Sequence, residues 1–157
     1  MSKDDLDGLM IVQQEASVTG LGHIFPQHEY PFPGDQIRER WSQEIESADT
    51  DCFVVCGPTG EVAGFAATRG NEFLHFGTAV HLWGSGLAGR AHDEILDHLR
   101  QKGFEDGLLR VFEDNHRGRR FYERRGWLAT GEKGRTAFAP YPVLLKYARP
   151  LFPARRG

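Results

Sequence analysis

The sequence predicts one α/β domain of the α+β kind, with helices packed on a central mixed sheet, and three observations carry that prediction. Apolar, strand-like runs at Phe53 to Val55, Val62 to Thr68 and Glu72 to Phe76 lead into a glycine-rich corner, Gly84-Ser85-Gly86-Leu87-Ala88-Gly89. A helix restarts at Leu87 or Ala88, with Ala88, Ala91, Ile95, Leu96 and Leu99 recurring at three- and four-residue steps, so one side of it faces a sheet. Leu108 to Phe112 then supplies a strand in βαβ relation to the first, for which right-handed parallel pairing is the usual outcome.

The elements before the corner are read in order. Residues 1–8, MSKDDLDG, are polar and read as a loose tail, and Leu9 to Glu15 alternate weakly, as in a first strand. Thr19 to Ile24 reads as a short helix. The following segment, HIFPQHEYPFP, mixes apolar and polar groups and suits a pocket wall, with Phe25, His28, Glu29, Tyr30 and Phe32 as candidates or, equally, as plugs of a core edge. Asp35 to Ser47 reads as a helix with Ile37, Trp41 and Ile45 on one face. Gly57-Pro58-Thr59-Gly60 is turn chemistry and joins the next two strands as an antiparallel hairpin.

After the corner, Asp114 or Asn115 caps a helix that Gly126 stops. Trp127 to Glu132 and Val143 to Tyr147 are the last strands, and residues 151–157 read as a second loose tail of a single domain spanning residues 1–157.

Composition narrows the classes. A chain of 157 residues, 39% hydrophobic and 26% charged, fits one domain with a real core. A formal net charge of -3 argues against general nucleic-acid affinity. No run of about 18 apolar residues and no cationic leader is present, so neither a membrane span nor a secretory signal is expected, and the expected compartment is the cytoplasm. Cys52 and Cys56 are the only cysteines; on one strand they are about 13 Å apart, too far for a disulfide. Two thiols alone make no zinc site, and His92 and His98 fall on different faces of their helix, so no metal is expected.

The corner itself is an anion site. Its small residues let a ligand approach the backbone, and the first-turn amides of the following helix lack intrahelical acceptors, which favours a phosphate. Three motifs compete for it. Gly84, Gly86 and Gly89 satisfy the dinucleotide fingerprint GxGxxG, although Glu105 and Asp106, at about the expected 20-residue distance, precede the next strand instead of ending it. Gly84 and Gly89 have P-loop spacing, but Arg90 and Ala91 replace the lysine and the hydroxyl that would hold magnesium. Trp83-Gly84-Ser85-Gly86-Leu87-Ala88 is similar to the [QR]-x-x-G-x-[GA] corner of the GNAT superfamily of N-acyltransferases, with Trp83 in place of Gln or Arg.

The segment Asn115-His116-Arg117-Gly118-Arg119-Arg120-Phe121-Tyr122-Glu123-Arg124-Arg125-Gly126-Trp127 resembles a second GNAT pattern, N-x-x-[AG]-x-x-F-Y-x-x-x-G-[FW]. The two motifs at this separation are specific where either alone is not. The resemblance covers about residues 9–148 and implies the GNAT fold: a mixed, mostly antiparallel sheet of six or seven strands with a V-shaped split, flanked by about four helices.

It further implies acetyl-CoA as co-substrate and direct transfer of the acetyl group to the primary amine of a small molecule or peptide. By resemblance, Thr78, Ala79, Val80, Trp83, Gly84, Ser85, Gly86, Leu87, Ala88 and Gly89 line the cofactor site. Asn115 meets the pantetheine arm and Tyr122 protonates the departing thiolate. With Trp83 in the first motif position, backbone amides carry more of the pyrophosphate binding. Arg119, within the cluster Arg117, Arg119, Arg120, Arg124 and Arg125, offers a charge-assisted contact to a phosphate, against the simpler reading of a solvated helix face.

An alkylamine has a reference pKa of about 10.4, so attack needs a base, and Glu72 and His75 are nominated, with His81, His28 and Glu29 behind them. The alternatives to an enzyme of this kind are a catalytically weak acyl-CoA-binding module with a sensory or scaffolding role and, on the GxGxxG match alone, a nicotinamide-dependent oxidoreductase. The sequence admits a homodimer and indicates no nucleic-acid or membrane partner.

Overall fold

The computed structural model describes residues 1–153 and contains one six-stranded sheet with helices on both faces. The strands are β1 (Thr50–Cys56), β2 (Val62–Arg69), β3 (Glu72–Thr78), β4 (Asp106–Phe112), β5 (Leu128–Arg135) and β6 (Val143–Pro150). The helices are α1 (Leu6–Leu21), α2 (Gly34–Glu46), α3 (Leu87–Gln101) and α4 (His116–Arg124). Sheet order is β1-β2-β3-β4-β6-β5, and β3 with β4 is the one parallel pair among these neighbours.

Alternation along the strands builds two cores. Phe65 and Ala67 of β2 face α1 and α2, where they meet Leu6, Leu9, Val12, Ile37 and Trp41. Ala66, between them, belongs to the opposite core, with Ile95, Leu96 and Leu99 of α3 and Trp127 and Tyr147. The helical periodicity read for α3 matches its burial: Ala91, Ile95, Leu96 and Leu99 are buried, and His92 joins them.

Two features position the site. Parallel pairing of β3 with β4 extends only over Glu72↔Leu108 and Phe73↔Leu109, after which the two strands part. That divergence is the V-shaped split, and it opens a cleft of about 1300 Å³ lined by both strands. The second feature is a β-bulge: the β2–β3 register passes from Thr68↔Phe73 to Ala67↔His75 and leaves Leu74 unmatched. A bulge shifts the pleat phase, so Phe73 and Phe76 both join the α3 core while His75 packs on Trp41 of α2, ring centroids 5.0 Å apart.

The amino-terminal readings are corrected. The expected strand at Leu9 to Glu15 and the first part of the short helix expected at Thr19 to Ile24 are one helix, α1, which ends at Leu21 with Ile24 in the turn beyond, and whose buried stripe Leu6, Leu9, Val12 has a three-residue step. Residues 1–8 are not a loose tail, because Lys3–Asp5 forms a 3₁₀ turn and Leu6 is buried. At the other end Leu151 is buried too, its N–H donating to the Glu105 carbonyl at 2.8 Å. The remainder of that expected tail, residues 154–157, lies outside the described residues. No helix among the described residues is long and apolar enough to cross a membrane.

Candidate active site

The corner between β3 and α3 folds as a backbone cradle. Gly84 and Gly86 have φ of 82° and 89°, a region that favours glycine. Gly86 is the N-cap of α3 in the left-handed conformation, and the first bond closing the helix runs from the Arg90 N–H to the Gly86 carbonyl at 3.1 Å. Ser85 turns its hydroxyl back into the loop, donating to the Leu82 carbonyl at 2.6 Å and accepting from the Leu87 N–H at 3.3 Å. Ala88 and Gly89 line the cleft at the positive end of the α3 dipole, and their amides are among the first-turn donors that have no intrahelical acceptor.

Arginines close the cradle. A Cβ on Gly86 would lie 3.0 Å from Arg90 Nη1, and one on Gly89 would lie 2.6 Å from Arg125 Nη2, so the absent side chains are what admit these guanidinium groups. Arg125 is held over the Phe121 ring at 3.9 Å and donates to the Phe121 carbonyl. Unpaired amides with two guanidinium groups beside them fit a pyrophosphate and leave space for its oxygens at the backbone.

Trp83, in the motif position expected to hold Gln or Arg, donates through Nε1 to the Thr78 carbonyl at 3.0 Å and is covered by the Arg117 guanidinium at 3.5 Å from its ring. A Cβ on Gly20 of α1 would lie 3.4 Å from the same ring. The indole thus ties the corner to β3 and wedges it between α1 and α4.

Of the residues expected at the cofactor, Thr78, Trp83, Gly84, Gly86, Ala88, Gly89 and Asn115 line the cleft, as does Tyr122. Ala79, Val80, Ser85 and Leu87 do not: Ala79 is buried with its N–H donating to the Ala63 carbonyl, and Ser85, though exposed, has its hydroxyl tied back into the loop. Arg119 is not brought to the cleft either. Its guanidinium donates to the Tyr147 hydroxyl and the Glu113 carbonyl, both at 3.0 Å, which commits it to the α4–β6 packing. Arg117, Arg120, Arg124 and Arg125 line the cleft instead. Asn115 caps α4, its Oδ1 accepting from the Gly118 N–H at 3.0 Å.

Tyr122 lies on the cleft-facing side of α4, half-buried, edge-on to Phe121 and Trp127. Burial pushes its phenol pKa up, so the proton stays on oxygen at neutral pH. Among the described residues nothing hydrogen-bonds that hydroxyl, which is therefore free to donate. Tyr147, by contrast, is fully buried with its hydroxyl shared between Arg119 and Glu123.

On the opposite wall the bulge delivers His75. Its Nε2 meets both carboxylate oxygens of Glu44 of α2, at 2.8 and 3.0 Å. Burial works against the Glu44 charge, but the His75 hydrogen bond and the charges of His75, Arg40 and Arg69 outweigh it and hold that carboxyl below its usual range. Burial likewise lowers the His75 pKa, the Glu44 contact offsetting only part of the effect. A neutral imidazole beside an ionised carboxylate donates through Nε2, leaving the Nδ1 lone pair as acceptor. Glu72 sits at the closed end of the split and is faced by Arg110 at 3.7 Å. Phe25, Glu29, Tyr30 and Phe32 line the cleft as the aromatic segment suggested, while His28 and His81 do not.

Sequence reasoning missed Glu44 and Arg40. The signal for Glu44 was an acid at helical spacing within the buried stripe Ile37, Trp41, Glu44. Among the described residues no group of three or more His, Cys, Asp or Glu side chains is disposed to hold a metal.

Known proteins place this architecture. No curated protein gives a significant sequence match. Among solved structures, PaiA N-acetyltransferase from Thermoplasma acidophilum, crystallised with coenzyme A, superposes with a TM-score of 0.74 at 16% identity over 96% of this chain and 95% of that one. Spermidine N-acetyltransferase from Vibrio cholerae, in complex with CoA and spermine, gives 0.71 at 16% identity over 96% and 92%. The ribosomal-protein-S18-alanine N-acetyltransferase from Escherichia coli gives 0.70 at 17% identity over 100% and 94%. At these identities the likeness is one of fold. The family model described as Acetyltransferase (GNAT) family matches residues 19–127, the span that holds the bulged strand, the glycine cradle and the α4 tyrosine, and the chain belongs to that family.

Proposed function

We propose that the protein is an N-acetyltransferase that moves an acetyl group directly from acetyl-CoA to the primary amine of a small molecule or peptide. The observation that carries this reading is the meeting, across one cleft, of an unpaired amide cradle, a free tyrosine hydroxyl and a histidine held by a carboxylate. The coenzyme A complexes of similarly folded proteins support the choice of ligand.

Acetyl-CoA, when bound, supplies the activated acyl group as a thioester. The cradle from Gly84 to Gly89, with Arg90 and Arg125, holds the pyrophosphate, and the Asn115 side chain at the head of α4 borders the arm. The acceptor reaches the splayed part of β3 from the aromatic side of the cleft. The acceptor ammonium first loses one proton to solvent, and His75 Nδ1 takes up the second, which the amine nitrogen sheds on forming the new C–N bond. Glu44 stabilises the imidazolium. As the C–S bond breaks, the Tyr122 hydroxyl gives its proton to the departing sulfur, and solvent returns a proton from His75 to Tyr122. No enzyme nucleophile is needed, so Cys52 and Cys56 stay outside the chemistry, and burial pushes the Cys52 thiol up to about 11.

Thiol release from acetyl-CoA, measured with and without added amines, tests the reading. Release that depends on the amine supports an acetyltransferase. Stabilisation by acetyl-CoA with no release for any amine class would identify a binding module instead.

A further inference from the structure

The charge balance of the acceptor half of the cleft points to the class of amine it takes, an inference that rests on the acetyltransferase reading. Each carboxylate at this end stands beside a basic group. Glu44 is bonded to His75, Glu72 is faced by Arg110 at 3.7 Å, and Glu29 lies 3.3 Å from His28. A polyamine needs several carboxylates for its ammonium groups, and the one beside the histidine, Glu44, is already taken by His75.

What the wall does offer is a cation. Arg40, on α2 one turn before Glu44, lines the cleft with its side chain about one-third exposed. Its Nε is buried without a hydrogen-bond partner, and Glu44 Oε1, 3.7 Å away, meets it by charge alone. Among the described residues its other donors have no protein acceptor either. Of the other cleft cations, Arg110 faces Glu72, Arg117 covers Trp83 and Arg125 is fixed over Phe121 beside the cradle, while Arg120 and Arg124 are carried by α4 and not by the α2 wall. A guanidinium always carries its charge, and a half-buried one with idle donors is half of a charge-assisted pair.

We infer that Arg40 is a specificity-determining residue that receives a carboxylate on the acceptor, so that the preferred substrates are amines carrying a carboxylate group, such as amino acids, their conjugates or short peptides. The planar fork of arginine suits a carboxylate bidentately, which a lysine at this position would not reproduce. Placing the carboxylate at Arg40, one helical turn from the carboxylate that orients His75, leaves the amine end of the same molecule to reach the imidazole.

The test compares matched acceptors in the thiol-release assay: an amino acid or dipeptide with a free carboxylate, the same molecule as its carboxamide, and spermidine. The expected result is a kcat/KM at least tenfold higher for the free carboxylate than for its carboxamide, with spermidine lower still. Arg40→Gln is expected to collapse that ratio towards one through KM, and Arg40→Lys to restore part of it, with melting temperatures recorded to confirm that each variant is folded. Equal use of carboxylate and carboxamide, preferred use of spermidine, or a ratio unchanged in folded Arg40→Gln would overturn the assignment while leaving the acetyltransferase reading intact. Failure of every amine class to release thiol would overturn the acetyltransferase reading, and this inference with it.

Discussion

Glu44 of α2 grips the Nε2 edge of His75 of β3 with both carboxylate oxygens, at 2.8 and 3.0 Å, and His75 lines the same cleft as Tyr122. The contact fixes the tautomer. Because burial holds the His75 pKa below the ordinary value of 6.5, the imidazole is a neutral base throughout the physiological range.

His75→Ala is therefore expected to lower kcat/KM by about 10²–10⁴-fold and to remove the acidic limb of its pH profile, which in the wild type lies below pH 6.5. Glu44 raises the His75 pKa through its hydrogen bond and charge, so Glu44→Gln should move that limb to lower pH as well as reduce the rate. A limb unmoved in both variants would assign the base elsewhere, with Glu72 next in line.

Tyr122→Phe is expected to lower kcat by about 10²-fold or more, the range for a lost general acid. The effect should fall on kcat and spare the KM for acetyl-CoA. Its stability should stay within about 0.5 kcal/mol of wild type, because no hydrogen bond to the hydroxyl is lost. Full turnover of Tyr122→Phe with acetyl-CoA saturating would remove the assignment.

Gly86→Ala tests the cradle. At φ 89° an alanine costs about 1–2 kcal/mol, and its Cβ would stand 3.0 Å from Arg90 Nη1. The expected outcome is a KM for acetyl-CoA raised by about tenfold, which is about 1.4 kcal/mol of binding. Titration of the variant with coenzyme A, followed by melting temperature, checks this without any need for an acceptor.

Legibility in the sequence followed the kind of constraint. The hairpin, β3, α3, β4 and α4 were readable because each is bounded by Gly, Pro or Asn, and α3 and β4 also carry a clean period. α1 was not: Leu9 to Val12 is a short apolar run in which β-branched residues and flanking polar ones imitate a strand, and the period emerges only when Leu6 is added. The cradle and Tyr122 were legible through two local motifs. The Glu44–His75 pair was not, since it joins residues 31 positions apart through a bulge at Leu74 that no local signal marks. Arg119 misled because it shares a helix with cleft arginines, and only the packing of Tyr147 shows which way it is drawn.

Away from the cleft, His92 sets the response to acid. It is buried, accepts from Trp127 Nε1 at 3.0 Å and contacts Asp93 through Nδ1 at 3.0 Å, an arrangement that requires the neutral ring. Burial lowers its pKa in the folded protein, with Asp93 opposing only in part. The unfolded chain thus binds the extra proton more readily, so the stability contributed is fully present above pH 6.5 and is lost as pH falls below it. Melting temperatures from pH 8 to pH 5 should fall on the acidic side, and less steeply in His92→Gln, which keeps an acceptor for Trp127 without titrating. His92→Phe should cost about 1–3 kcal/mol at every pH by stranding the indole N–H.

The most direct test of the account is free thiol released from acetyl-CoA by the purified protein, recorded with and without carboxylate-bearing amines, polyamines and peptides. The expected result is saturable release that requires both acetyl-CoA and an amine, falls by about 10²-fold or more in Tyr122→Phe and in His75→Ala, and yields the N-acetylated amine. Stabilisation by acetyl-CoA without amine-dependent thiol release in any class would contradict it.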